Sequence, residues 1–138
     1  MEVKVNMSYV NDEKFQVINK SGNKLIIDMY SQDKKENHSP MELLLSAVVS
    51  CAAVDIVSMI RKRKRNFKDI KGEASGIRAE THPKFFKSIT IHYVIYSSDL
   101  TDKEAGRFIT LAIENYCSVG STINEKTNIN YSFSIKKL

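Results

Sequence analysis

Two residues in this chain can do redox or nucleophilic chemistry, Cys51 and Cys117, and no other cysteine accompanies them. The first lies inside "HSPMELLLSAVVSCAAVDIVSMIRKRKR", residues 38 to 65, a run that reads as one long helix; the second closes "ENYCSV". A thiolate attacks electrophiles and can pass through a sulfenic acid to a disulfide, but a free cysteine is also a small hydrophobe that cores bury for packing alone. Composition leaves both readings open. Metal binding has less support, because His38, His82 and His92 show no ligand spacing with either cysteine. Phosphate and dinucleotide loops are also missing, since no glycine cluster precedes a helix. No cofactor and no metal are therefore expected.

The elements that must position the thiols follow from hydrophobic periodicity. "VKVNMSYV" places Val3, Val5, Met7 and Tyr9 on one side, the period of a half-buried strand. "KFQVINKSGNKLIIDMY" reads as a hairpin turning at Ser21, Gly22 and Asn23. The long helix opens with Ser39 as N-cap, Pro40 at the first helical position and Glu42 as capping-box partner. After it come a polar, edge-like strand in "DIKGEASGIRAET" and a strand with Ile89, Ile91, Tyr93 and Ile95 on one face. "LTDKEAGRFITLAIENYCSV" reads as a second helix with a Thr101/Glu104 capping box, and a last strand alternates Ile129, Tyr131, Phe133 and Ile135. The order is βββαββαβ. Hairpins and clean alternation predict an α+β fold with antiparallel sheets and two main helices, in a single domain over residues 1–138.

Apolar residues of the long helix point in every direction around its axis, whereas a surface helix shows one stripe. One small sheet covers one side, so a homodimer with this helix near the interface is the economical expectation. Between Glu42 and Asp55 stand twelve uncharged residues, too few for the roughly 20 that span a bilayer, so a core helix and no membrane are expected. The N-terminus lacks an apolar leader, which predicts a cytoplasmic protein where a permanent disulfide is not expected.

Net charge is +5, but six cations sit in "RKRKRNFK", residues 61 to 68; setting them aside leaves 15 cations against 16 acids, a balance of −1. Cations at a helix C-terminus complement its dipole. The stretch from Arg61 to Arg65 is read first as that solvated end, with an anion or nucleic-acid site as the alternative; no interleaved aromatics or RNA motif supports the latter.

"SPMELLLSAVVSCAAVDIVSMI" followed, after two strands and a capped helix, by "ENYCSVGSTINEKTNINYSFSI" resembles the OsmC/Ohr family, and most its YhfA-like branch. The likeness covers almost the whole chain; its most specific parts are Pro40 eleven residues before Cys51, and Cys117 ending the later helix. The resemblance implies an intertwined α+β homodimer and thiol-dependent reduction of organic hydroperoxides. Cys51 would attack the peroxide, Cys117 would resolve the sulfenic acid as a disulfide, and a dithiol such as reduced lipoamide would reopen it. A noncatalytic protein binding an apolar metabolite between helix and sheet is the alternative.

An ordinary thiol is only a few per cent ionised at neutral pH, and lowering its pKa by two units takes about 2.7 kcal/mol of preferential anion stabilisation. Cys51 lies eleven residues, about 16 Å, from the helix start, beyond the reach of its dipole. In peroxide-reducing members of the family an arginine from the N-terminal strands supplies the charge, held by a glutamate directly after the helix proline. Here no arginine precedes Arg61, and Met41 follows Pro40, with Glu42 displaced by one residue. Lys20, Lys24 and His38 are the candidate replacements, with Glu42 as a displaced partner; none offers the planar fork of an arginine. Weak turnover of simple hydroperoxides is the expectation.

Overall fold

A computed structural model describes residues 1–138, which gather into two compact units, residues 1–44 and 45–138.

The first unit is an antiparallel meander of β1 (Val5–Asn11), β2 (Lys14–Asn19) and β3 (Lys24–Asp28). The β2–β3 hairpin turns as its sequence requires. Gly22 takes a left-handed φ of +86°, and the Asn19 side chain accepts the N–H groups of Ser21 and Asn23 at 3.1 and 2.9 Å. Tyr9 and Phe15 stack edge to face at 5.5 Å across the β1–β2 pair. The stripe of Val3, Val5, Met7 and Tyr9 is exposed rather than half-buried. Alternation groups these apolar side chains on one side of β1, and β1 is exposed along its whole length.

Beyond β3 the chain folds around one carboxylate. Asp28 is fully buried, pairs with Lys35 Nζ at 2.6 Å, and accepts the N–H groups of Glu36 and Asn37 at 2.9 and 2.6 Å. Burial alone would raise its pKa, but these donors outweigh it and hold the carboxyl far below the usual range. His38 then bridges to Ile27, ending the segment beside β3.

α1 (Pro40–Lys62) begins with the reciprocal Ser39–Glu42 bonds the sequence predicts, at 2.9 and 3.2 Å. It ends with Lys64 in the left-handed region and the Arg65 N–H on the Ile60 carbonyl at 3.1 Å, the closing bond of a Schellman turn. At 23 residues, α1 is by length and composition long and apolar enough to cross a membrane, which a count of uncharged residues between Glu42 and Asp55 understates. Its role within the fold is nevertheless defined. Val48, Ala52, Ile56 and Ile60, spaced four apart, form the stripe buried in the second unit's core.

The second unit holds the sheet β4 (Asp69–Arg78), β5 (Phe86–Tyr96) and β6 (Asn128–Lys136), with β5 central. Ile89, Ile91, Tyr93 and Ile95 of β5 all point inward and are buried. β4 is the polar edge strand expected, antiparallel to β5. β6, by contrast, runs parallel to β5. The reason is the crossover: a helix must carry the chain back before β6 can pair, and period-two alternation says nothing about direction.

That crossover differs from one continuous helix. α2 (Asp102–Leu111) opens with the Thr101/Glu104 capping box, passes into a π-helical turn over residues 112–116, and gives way at Cys117 to a short α3 (Ser118–Ile123). Glu104 also receives Arg63 and Arg65, each at 3.1 Å, so two arginines of the basic stretch tie the end of α1 to the start of α2. Burial works to raise the Glu104 pKa, but Thr101, Arg65 and Arg63 together bring it down to about 2.

Candidate functional site

Cys51 and Cys117 come together inside the second unit. Cys51 sits in mid-α1, directly before the buried Ala52, and is half-exposed. Cys117 is reached through the π-turn: its N–H bonds to the Ala112 carbonyl at 2.7 Å, five residues back, and its backbone then turns extended with ψ 105°. The turn leaves the side chain at the N-cap of α3, where Sγ accepts the Gly120 N–H at 3.3 Å. Its thiol also points toward the Val48 carbonyl of α1, at 4.0 Å. The two cysteine side chains stand within hydrogen-bonding reach of each other, and both are free thiols.

Their environments differ. Cys117 is 2% exposed, and burial pushes its thiol pKa up. The Gly120 N–H pulls the other way, while the neighbouring Cys51 adds to the rise. Cys51 is the more exposed of the two.

The remaining sequence candidates belong to the first unit. Lys20 lies in the hairpin turn and Lys24 opens β3, both exposed. His38 is exposed, and its carbonyl accepts the Asp28 N–H at 3.3 Å. Glu42 closes the capping box, and the bonds from Ser39, with the charges of Lys35 and His38 nearby, hold its carboxyl below the usual range.

Sequence reasoning missed three contributors. Gly120 supplies the N–H on Cys117, Val48 the facing carbonyl, and Tyr93 a buried phenol whose hydroxyl donates to the Val49 carbonyl at 2.5 Å. Only Tyr93 left a sign in the sequence. A phenol among inward-facing isoleucines needs a partner for its O–H.

An α+β chain that sets a helix-borne cysteine against a second, buried cysteine has the arrangement expected of the family the motifs resemble. The model of the OsmC-like protein family matches residues 32–132, and the chain belongs to that family. It is 33% identical to protein YhfA of Escherichia coli K12 over 115 residues, covering 83% of this chain and 84% of that protein. A hypothetical protein from Aquifex aeolicus superposes with a TM-score of 0.89 at 28% identity, over 100% of this chain and 98% of the other. The Legionella pneumophila organic hydroperoxide resistance protein OsmC shares the fold, with a TM-score of 0.74 at 18% identity and 97% of each chain covered.

Proposed function

We propose that this chain is a cysteine-dependent redox protein that reduces organic hydroperoxides or related electrophiles. The observation that carries the reading is the unequal thiol pair, an accessible Cys51 against a buried Cys117 whose pKa is pushed up. In the first step the Cys51 thiolate attacks the terminal peroxide oxygen. The O–O bond breaks, Cys51 becomes a sulfenic acid, and the alkoxide takes a proton to leave as the alcohol. In the second step Cys117, as thiolate, attacks the Cys51 sulfur. The S–O bond breaks, hydroxide leaves as water, and a disulfide remains. An external dithiol of the lipoamide type would reduce that disulfide and be oxidised in turn.

The proposal includes a second copy of the chain. α1 buries one stripe in its own unit, while Val54 is 69% exposed and borders an open cleft of about 690 Å³ with Ala53 and Val57. An apolar surface of that kind favours association.

Family relatives named as hydroperoxide-resistance proteins support the reaction class. Steady-state consumption of cumene hydroperoxide with reduced lipoamide tests it. Slow turnover that disappears in Cys51→Ser is the expected result, slow because no arginine precedes Arg61 in the sequence. Turnover that persists unchanged in Cys51→Ser would overturn the reading.

A further inference from the structure

Tyr93 is the one polar side chain in the inward row Ile89, Ile91, Tyr93 and Ile95 of β5. It is 1% exposed, and its hydroxyl donates to the Val49 carbonyl at 2.5 Å. That acceptor lies two residues before Cys51 and adjoins Val48, whose carbonyl faces the Cys117 sulfur. The strands make room for this contact. Gly72 pairs opposite Tyr93 in the β4–β5 register, and a Cβ there would stand 2.9 Å from Tyr93 Cε1 and 3.0 Å from Val49 Cγ2. Any side chain at Gly72 would drive ring and helix apart.

The titratable groups that face the phenol are the two thiols, Cys51 from α1 and Cys117 from the turn before α3; β4 presents only Gly72 there. Burial first, then the charges of Cys117 and Cys51, raise the Tyr93 pKa, so the phenol stays a neutral donor at every physiological pH.

We propose that Tyr93 is a positioning residue for the thiol pair: its hydroxyl, held on the Val49 carbonyl, fixes the turn of α1 that presents Cys51 to Cys117 and tunes thiol reactivity. The inference rests on Cys51 and Cys117 being the reacting pair. A hydroxyl bonded to the Val49 carbonyl offsets the negative end of that dipole two residues before Cys51, which favours the Cys51 anion, and a fixed helix turn keeps the two sulfurs at reacting distance. Removing the hydroxyl loosens the turn and withdraws the dipole together.

The test is iodoacetamide alkylation of Cys51 across pH in a Cys117→Ser background, with tyrosine, phenylalanine or 3-fluorotyrosine at position 93. Tyr93→Phe is expected to move the rate profile to higher pH and slow alkylation at pH 7 by about threefold to tenfold, tenfold being the effect of displacing the profile by about one pH unit. The fluorinated phenol, a stronger donor of the same shape, is expected to move the profile the other way. A part that merely fills space would not produce opposite displacements. In the two-cysteine protein, Tyr93→Phe should also slow disulfide closure after a pulse of hydroperoxide. Superimposable alkylation profiles for all three residues would overturn the inference. If Tyr93→Phe does not fold, the fluorotyrosine comparison decides alone. Because alkylation uses no peroxide, displaced profiles without peroxide consumption would uphold Tyr93 while refuting the peroxidase reading; unchanged profiles with disulfide formation would do the reverse.

Discussion

Replacing Cys117 by serine and by alanine separates what its sulfur does for the fold from what it does for chemistry. In the fold, Sγ occupies the N-cap of α3 and accepts the Gly120 N–H at 3.3 Å. Serine is among the preferred N-cap residues, and its hydroxyl can also donate toward the Val48 carbonyl that the thiol now faces. Alanine can do neither. Losing a capping side chain costs about 0.5–2 kcal/mol, typically about 1. An unfolding entropy of roughly 2.1 cal/mol/K per residue converts 1 kcal/mol into about 3 °C for a chain of 138 residues. Cys117→Ser should therefore melt within about 3 °C of the parent under reducing conditions, and Cys117→Ala about 2–6 °C below the serine variant, measured by circular dichroism. Both should halt after the first chemical step, with a Cys51 sulfenic acid that a 1,3-dione traps. An alanine variant as stable as the serine variant would show that the sulfur does not cap α3 and would refute the role read from its geometry.

Two glycine substitutions should act with opposite signs. A Cβ at Gly76 would lie 2.4 Å from Phe86 Cδ1, so Gly76→Ala should cost about 1–3 kcal/mol by urea denaturation, whereas Gly106→Ala, inside α2 with nothing closer than 3.6 Å, should gain about 0.5–1 kcal/mol; equal effects would refute the packing argument. Glu104 titrates near 2 and Asp28 below the usual range in the folded protein, so their stabilisation is complete above the unfolded values near about 4 and is lost as pH falls toward 2. Urea midpoints should hold from pH 7 to 5 and drop steeply below 4, less so in Glu104→Gln; an unchanged midpoint at pH 3 would contradict this. The open face of α1 predicts a dimer, since obligate interfaces bury about 2,000 Å² or more. Sedimentation should give a dimer at micromolar concentration and a monomer for Val54→Asp, and a folded parent monomer would refute the assignment.

What was legible in the sequence was local. Ser39 and Glu42 stand three residues apart, as do Thr101 and Glu104, and both pairs form their capping boxes because a helix start needs only residues within one turn. Gly22 marked its turn and the isoleucines of β5 marked the inward face, since period two fixes sidedness. Periodicity does not fix pairing direction, which is why parallel β6 was not visible, nor does it say what covers an apolar face, which is why the β1 stripe read as half-buried. At the site, the two cysteines stood out by residue type. The contacts that shape them join residues 44 and 69 positions apart, Tyr93 to Val49 and Cys117 to Val48, and no spacing rule reaches so far. Cys117 itself looked like the last residue of a helix. Its extended backbone, which makes it the cap of the next helix, depends on a π-turn that propensity does not announce.

The central claim is that Cys51 and Cys117 form one redox unit, and the mass of the intact protein tests it most directly. Reduced protein treated with one equivalent of cumene hydroperoxide should lose two hydrogen atoms, and peptide mapping should place the new bond between Cys51 and Cys117, with no such loss in Cys51→Ser. Protein that keeps its fully reduced mass under excess hydroperoxide would contradict the account.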